Sequence, residues 1–96
     1  MVAEDAVVGV PDDAVRRFFV RGEDTIDRYP RRLSDRRMLL QWIVERTFGA
    51  DDDLSESEVN LRLLRYSDDV AVLRRYLVDF ELLERTVDGT SYRRIG

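Results

Sequence analysis

Arg74 and Arg75 stand side by side in the stretch SDDVAVLRRYLVDF. A guanidinium is the side chain whose planar fork meets a phosphate or a guanine edge with two parallel hydrogen bonds. If Leu73 and Leu77 face inward on a helix, at least one of the two arginines must project into solvent, where it could contact a major groove. The local alternatives are an Arg75–Asp79 pair one turn apart, and Arg74 bracing a following hairpin or a carboxylate near Glu58. Arg31, Arg32, Arg36 and Arg37 form a second cluster, suited to clamping backbone phosphate or to pairing with the acids of 51–58. Arg85, Arg93 and Arg94 form a third, which could follow an adjacent groove, with Glu84 opposite Arg93 as the competing ion pair. Asp51, Asp52 and Asp53 make a dense acidic run that would repel a duplex and suits a basic protein partner. Calcium fits this run poorly, since the glycine and the later bidentate glutamate of a calcium loop are missing, and no metal is expected.

The rest of the inventory narrows the chemistry further. All sixteen basic residues are arginine, a choice that GC-rich coding would also produce, and there is no lysine, histidine or cysteine. The commonest general base, the commonest metal ligand, a Schiff-base nucleophile and a disulfide framework are therefore excluded. The serines and threonines have no histidine or lysine to activate them, and the acids fall on solvated loops. The expectation is a protein that is not an enzyme, with no catalytic residues and no cofactor. The net charge of −4 is awkward for a nucleic-acid binder, yet it is segregated. Residues 28–37 are strongly basic, 1–15 and 51–58 strongly acidic, so a local basic face is possible.

These side chains need elements to hold them. Ninety-six residues suffice for one modest core. Pro11-Asp12-Asp13 reads as a helix start, with Val15, Phe18 and Phe19 as its apolar face and Gly22 as its stop. Residues 25–29 read as a short strand or extended arm ending at Pro30. Ser34 is the expected cap of a helix from Asp35 to about Phe48, stopped by Gly49, with Leu39, Leu40, Trp42, Ile43 and Val44 buried. Leu54 suggests a one- or two-residue strand. Ser55 and Glu58 make a capping box before Val59, Leu63 and Tyr66. Ser67 or Asp68 is the expected cap of the next helix, Asp68–Phe80, with Val70, Leu73, Leu77 and Phe80 inward. Leu83–Val87 and Thr90–Arg94 then flank Asp88-Gly89, the pair that favours a two-residue type I′ hairpin.

Glu58-Val59-Asn60, Leu73-Arg74-Arg75, Leu77-Val78-Asp79, Leu82-Leu83-Glu84-Arg85 and Gly89 with Tyr92 resemble, in order and spacing, the bacterial domain-of-unknown-function family 2087. The arm ending in Tyr29-Pro30-Arg31-Arg32 resembles that family's Pro-Lys/Arg segment, and the likeness covers about residues 14–94. It implies a winged-helix-like domain, found alone or joined to ArsR-type transcriptional regulators, suspected of binding nucleic acid and without established catalytic activity.

Both lines predict an α+β, mostly helical protein: a winged helix-turn-helix with an extra N-terminal helix and a C-terminal β-hairpin wing. It would occupy residues 11–96 as a single domain behind a loosely ordered tail, 1–10. The expected role is DNA binding as a transcriptional regulator or accessory, with Arg74 and Arg75 at the groove and Arg31, Arg32, Arg36, Arg37, Arg93 and Arg94 on phosphates. The alternative is a non-catalytic protein-interaction module that presents Asp51–Asp53. A homodimer through the Val15, Phe18 and Phe19 face is a further expectation. No run is long and apolar enough for a membrane, the start MVAEDAVVGV is unlike a signal peptide, and a cytoplasmic location is expected.

Overall fold

Helix α1, Leu33–Thr47, buries Leu39, Leu40, Trp42, Ile43 and Val44 and is the platform on which the other elements assemble. In the computed structural model, which describes residues 9–95, it is followed by β1 (Asp53–Leu54), α2 (Glu56–Leu63), α3 (Val70–Asp79), β2 (Leu83–Arg85) and β3 (Tyr92–Arg94). The three strands form one antiparallel sheet in the order β1-β3-β2. The protein is thus α+β, with helices and a small sheet sharing one core that runs from Val15 to Tyr92.

The helix ends show which local signals hold. Ser55 and Glu58 form the expected capping box: the Ser55 hydroxyl accepts from the Glu58 N–H at 3.2 Å, and the Ser55 N–H donates to Glu58 Oε1 at 2.9 Å. The caps of the other two helices differ from expectation. Helix α1 starts two residues before Asp35, with Arg32 at its N-cap and no side-chain cap. Arg36 Nε donates to the Pro30 carbonyl at 3.0 Å, fixing the first turn to the preceding arm and leaving Ser34 inside the helix. Helix α3 starts at Val70 rather than Asp68, because the Ser67 hydroxyl accepts from the Asp69 N–H and Asp69 then caps Val72 N–H at 3.2 Å.

Helix α3 ends at an unusual residue. The Glu81 N–H donates to Val78 O and the Leu82 N–H to Leu77 O, both at 2.9 Å. This paired closure needs a left-handed residue, usually glycine, just past the helix. Here Glu81 takes that role at φ 61, the one described non-glycine residue with positive φ. Its side chain is exposed, so Glu81→Gly is expected to raise stability by about 0.5–1 kcal/mol by removing the Cβ–carbonyl clash. Chemical denaturation with an unchanged m-value would measure it.

The hairpin register is the expected one, with Leu83 opposite Arg94, Glu84 opposite Arg93 and Arg85 opposite Tyr92. Its turn is not the expected type I′, which needs positive φ at both central residues. Asp88 has no positive φ, whereas Gly89 has φ 74. The Gly89 N–H donates instead to Thr86 O at 2.9 Å, and the Asp88 carboxylate collects the Thr86 and Thr90 hydroxyls and the Thr90 N–H. The Asp88 side chain thus organises a wider loop, and the strands shorten to three residues each. Leu54 pairs with Tyr92 in a two-residue strand, as its apolar character beside the hairpin suggested.

The expected N-terminal helix is replaced by two 3₁₀ turns, Asp12–Ala14 and Arg16–Phe18, separated at Val15 (φ −120, ψ −6). A lone short helix carries an unfavourable nucleation term, and the chain instead bends so that Val15 and Phe19 reach the core. Phe19 bridges to Ile26, and the Ile26 N–H donates to Tyr66 O at 2.8 Å, which docks this arm onto the α2–α3 turn. Gly22 serves this reversal at φ 80 rather than closing a helix. Val15 and Phe19 are buried within their own chain and Phe18 is half-buried against the same core, so less of the apolar face that suggested a homodimer is open than its sequence implies. Residues 1–8 of the expected tail lie outside the described residues, and Val10 N–H donates to Glu45 Oε1 at 2.9 Å. Among the described residues no helix is long and apolar enough to cross a membrane.

Candidate functional site

Between α3 and the β2–β3 hairpin runs a groove of about 340 Å³, lined by Ala71, Arg74, Arg75, Val78, Asp79, Arg85 and Tyr92. Burial of Leu73 and Leu77 turns the flanking positions of α3 toward this groove and toward solvent. Two-residue alternation puts Arg85 on the side of β2 that carries buried Leu83, while Glu84 and Arg93 share the outer face. Three arginines and one aspartate therefore surround the opening.

The two central arginines differ in their freedom. Arg74 donates to Asn60 Oδ1 and lies 3.8 Å from Glu56 Oε1, with only 19% of its side chain exposed. The Tyr92 hydroxyl donates to the same Glu56 oxygen at 3.0 Å. Arg74 thereby joins α3 to α2 and, through Glu56, to β3. This is the local alternative to a groove contact, with Glu56 as the carboxylate near Glu58. Arg75 is exposed, and the Asp79 carboxylate does not come within ion-pair distance, 4.0 Å, of it. Among the described residues no hydrogen-bond or ion-pair partner takes up its guanidinium.

Two more arginines reach α3 from its other side. Arg36 lies 5.2 Å from the Tyr76 ring centroid, and Arg37 lies 5.4 Å from that of Phe80 while donating to the Phe80 carbonyl at 3.0 Å. Each uses one donor on a backbone carbonyl and keeps others available. Arg31 and Arg32 are exposed just ahead of α1. Arg93 is exposed on the outer face of the sheet, and no ion pair to Glu84 forms despite their opposition in register. Arg94 turns inward, donates to Phe48 O at 2.9 Å and does not line the groove. Of the eight arginines singled out from sequence, Arg74, Arg75, Arg36 and Arg37 thus meet α3, while Arg94 is a structural anchor. Arg85 joins this group by its strand register, which the Asp88-Gly89 signal already implied.

The acidic loop mainly holds the fold. Asp52 Oδ2 accepts from the Gly49 N–H at 2.8 Å and from Arg62 Nη1 at 2.9 Å, tying the end of α1 to α2. Asp53 accepts from the Ser91 hydroxyl beside the sheet, and Asp51 alone of the three is exposed without such a bond. The Gly49 N–H and then Arg62 hold the Asp52 carboxyl below the usual range. A lowered folded pKa gives stability that is present above the unfolded value of about 4 and is lost as pH falls through the folded value. The stability advantage of wild type over Asp52→Asn is therefore expected at neutral pH and should vanish on acidification, as thermal melts of both proteins would show. Among the described residues no three carboxylates are grouped to hold a metal ion.

No curated protein and no solved structure matches the chain. The family model described as an uncharacterized protein conserved in bacteria, DUF2087, matches residues 25–94. That span contains α1, α2, α3 and all three strands, and with it Arg74, Arg75, Arg85 and the arm ahead of α1; the chain belongs to the DUF2087 family.

Proposed function

We propose that the chain is a winged helix-turn-helix that binds duplex DNA, acting without chemistry as a transcriptional regulator or accessory. The element order α1–β1–α2–α3–β2–β3 with strand order β1-β3-β2 supports the winged-helix reading, with α3 as the recognition helix and the hairpin as the wing. The observation that carries the duplex reading is the bracketing of α3 by arginine on both sides. Arg36 and Arg37 rest on Tyr76 and Phe80, and Arg85 lines the groove with Arg74 and Arg75.

Binding of this kind is phosphate clamping before it is base reading. The exposed ridge of α3 offers Ala71, Val72, Arg75 and Asp79, so Arg75 is the single donor there able to read a guanine edge. Asp68 and Asp69 at the start of α3 oppose a deep insertion of that end, and flanking phosphates would supply most of the attraction. Titrating a random duplex into isotope-labelled protein tests the surface. Amide shifts should concentrate on α3, the start of α1 and the hairpin, and shifts confined to 51–54 or α2 would reject the reading.

A further inference from the structure

Helix α2 leaves two leucines in water. Leu61 is 69% and Leu64 49% exposed. They are spaced i, i+3, and Leu64 keeps helical geometry at φ −58, ψ −27. The pair makes one stripe on the side of α2 away from buried Val59 and Leu63. Beside Leu61 opens a groove of about 270 Å³, lined by Arg46, Thr47, Leu61, Arg62, Arg65 and Tyr66. Among the described residues no acidic side chain lines it.

The three arginines are held in place before any partner arrives. Arg46 lies 4.2 Å from the Trp42 ring centroid, Arg65 5.4 Å from that of Tyr66 and Arg62 5.9 Å from that of Phe48. Asp52 holds Arg62 at 2.9 Å and Asp24 holds Arg65 at 3.2 Å, each using part of a five-donor fork. Among the described residues Arg46 bonds only the Trp42 carbonyl of its own helix, at 3.5 Å. Flat guanidinium groups fixed on aromatic faces lose little entropy when a carboxylate docks.

We propose that this face of α2 docks an acidic amphipathic helical segment of another protein. Apolar side chains of the partner would cover Leu61 and Leu64, and its carboxylates would meet Arg46 and the remaining donors of Arg62 and Arg65. Charge complementarity selects this occupant. A second copy of the chain carries a net charge of −4 and would add repulsion between like bodies. An anionic membrane favours a broad apolar face with cations around it, whereas two leucines beside a concave, partly neutralised groove suit one defined helix. The surface lies on α2, apart from the α3 groove, and stands whether or not DNA is bound.

The probe is a fluorescein-labelled synthetic helix with leucines on one face and glutamates on the other, titrated with the full chain and read by anisotropy. The single tryptophan, Trp42, sits under Arg46 and should report the same event by a fluorescence change. Saturable binding is expected. It should weaken by about tenfold or more for the same peptide with lysines in place of glutamates, and similarly for the Leu61→Ser, Leu64→Ser double variant. Both leucines are exposed, so that variant should keep the wild-type circular dichroism and melting temperature, and the Arg75→Ala, Arg85→Ala variant should bind the peptide normally. Absence of binding, equal binding of the lysine peptide, or indifference to the leucine substitutions would overturn the proposal. So would concentration-dependent self-association through these leucines, or co-sedimentation with phosphatidylserine vesicles abolished by the same variant.

Discussion

Replacing Trp42 by alanine is expected to remove about 3–5 kcal/mol of stability, the range for emptying a large aromatic site in a packed core. Trp42 is 2% exposed and touches three separate parts of the chain. Its ring lies 5.0 Å from that of Phe19 in the N-terminal arm and 6.1 Å from that of Tyr66 in the α2–α3 turn. Arg16 and Arg46 lie against it at 5.7 and 4.2 Å. Removing it opens a cavity where arm, α1 and turn meet, and a small domain holds only about 5–15 kcal/mol in total. Urea denaturation would measure the loss, with Val87→Ala as the control. Val87 is fully exposed at 101%, and its truncation should change stability by no more than about 0.5 kcal/mol. A loss below about 1 kcal/mol for Trp42→Ala would mean that the arm is not packed as described.

The second large effect concerns the groove. Arg75→Ala combined with Arg85→Ala removes two guanidinium groups that line one opening and have no carboxylate partner among the described residues. At about 1 kcal/mol per lost contact, duplex affinity at low salt should fall roughly 30-fold, with folding unaffected. Arg74 is a poor choice for this test. Its truncation would strand Asn60 and Glu56, which it now holds, and a loss of binding could not be separated from loosening of α2 against α3. A drop of less than about threefold for the Arg75, Arg85 pair would remove the groove from the binding surface.

Legibility from sequence followed the range of the interaction. The capping box at Ser55 and Glu58, the α3 stripe of Leu73 and Leu77, and the Glu84–Arg93 register are each set by residues within a few positions, and each is found. The N-terminal arm was misread because its conformation is chosen at long range. The Ile26 N–H bonds Tyr66 O across 40 positions, and the apolar spacing of Val15, Phe18 and Phe19 carries no trace of that partner. The hairpin turn failed for a different reason: Asp88-Gly89 fits a tight turn, but the Asp88 carboxylate bonds Thr86 and Thr90 instead. At the candidate site, residue type identified the arginines but not their commitments. Nothing near Arg94 in sequence announces Phe48 O, 46 residues away, and the stacking of Arg36 on Tyr76 needs both helices in place. The exposed leucines of α2, Leu61 and Leu64, lie off the Val59, Leu63 and Tyr66 stripe and come to light only in the structure.

Salt dependence of duplex binding bears most directly on the central claim, that arginines gathered about α3 hold DNA through its phosphates. Anisotropy with a random labelled duplex, repeated across a range of salt concentrations, gives the log–log slope. Three to five phosphate contacts, from Arg75, Arg85, Arg36, Arg37 and the Arg31-Arg32 pair, predict a slope of about −2.7 to −4.5, reduced by about 2 in the Arg75→Ala, Arg85→Ala protein. No binding at low salt, or a slope the same in both proteins, would contradict it.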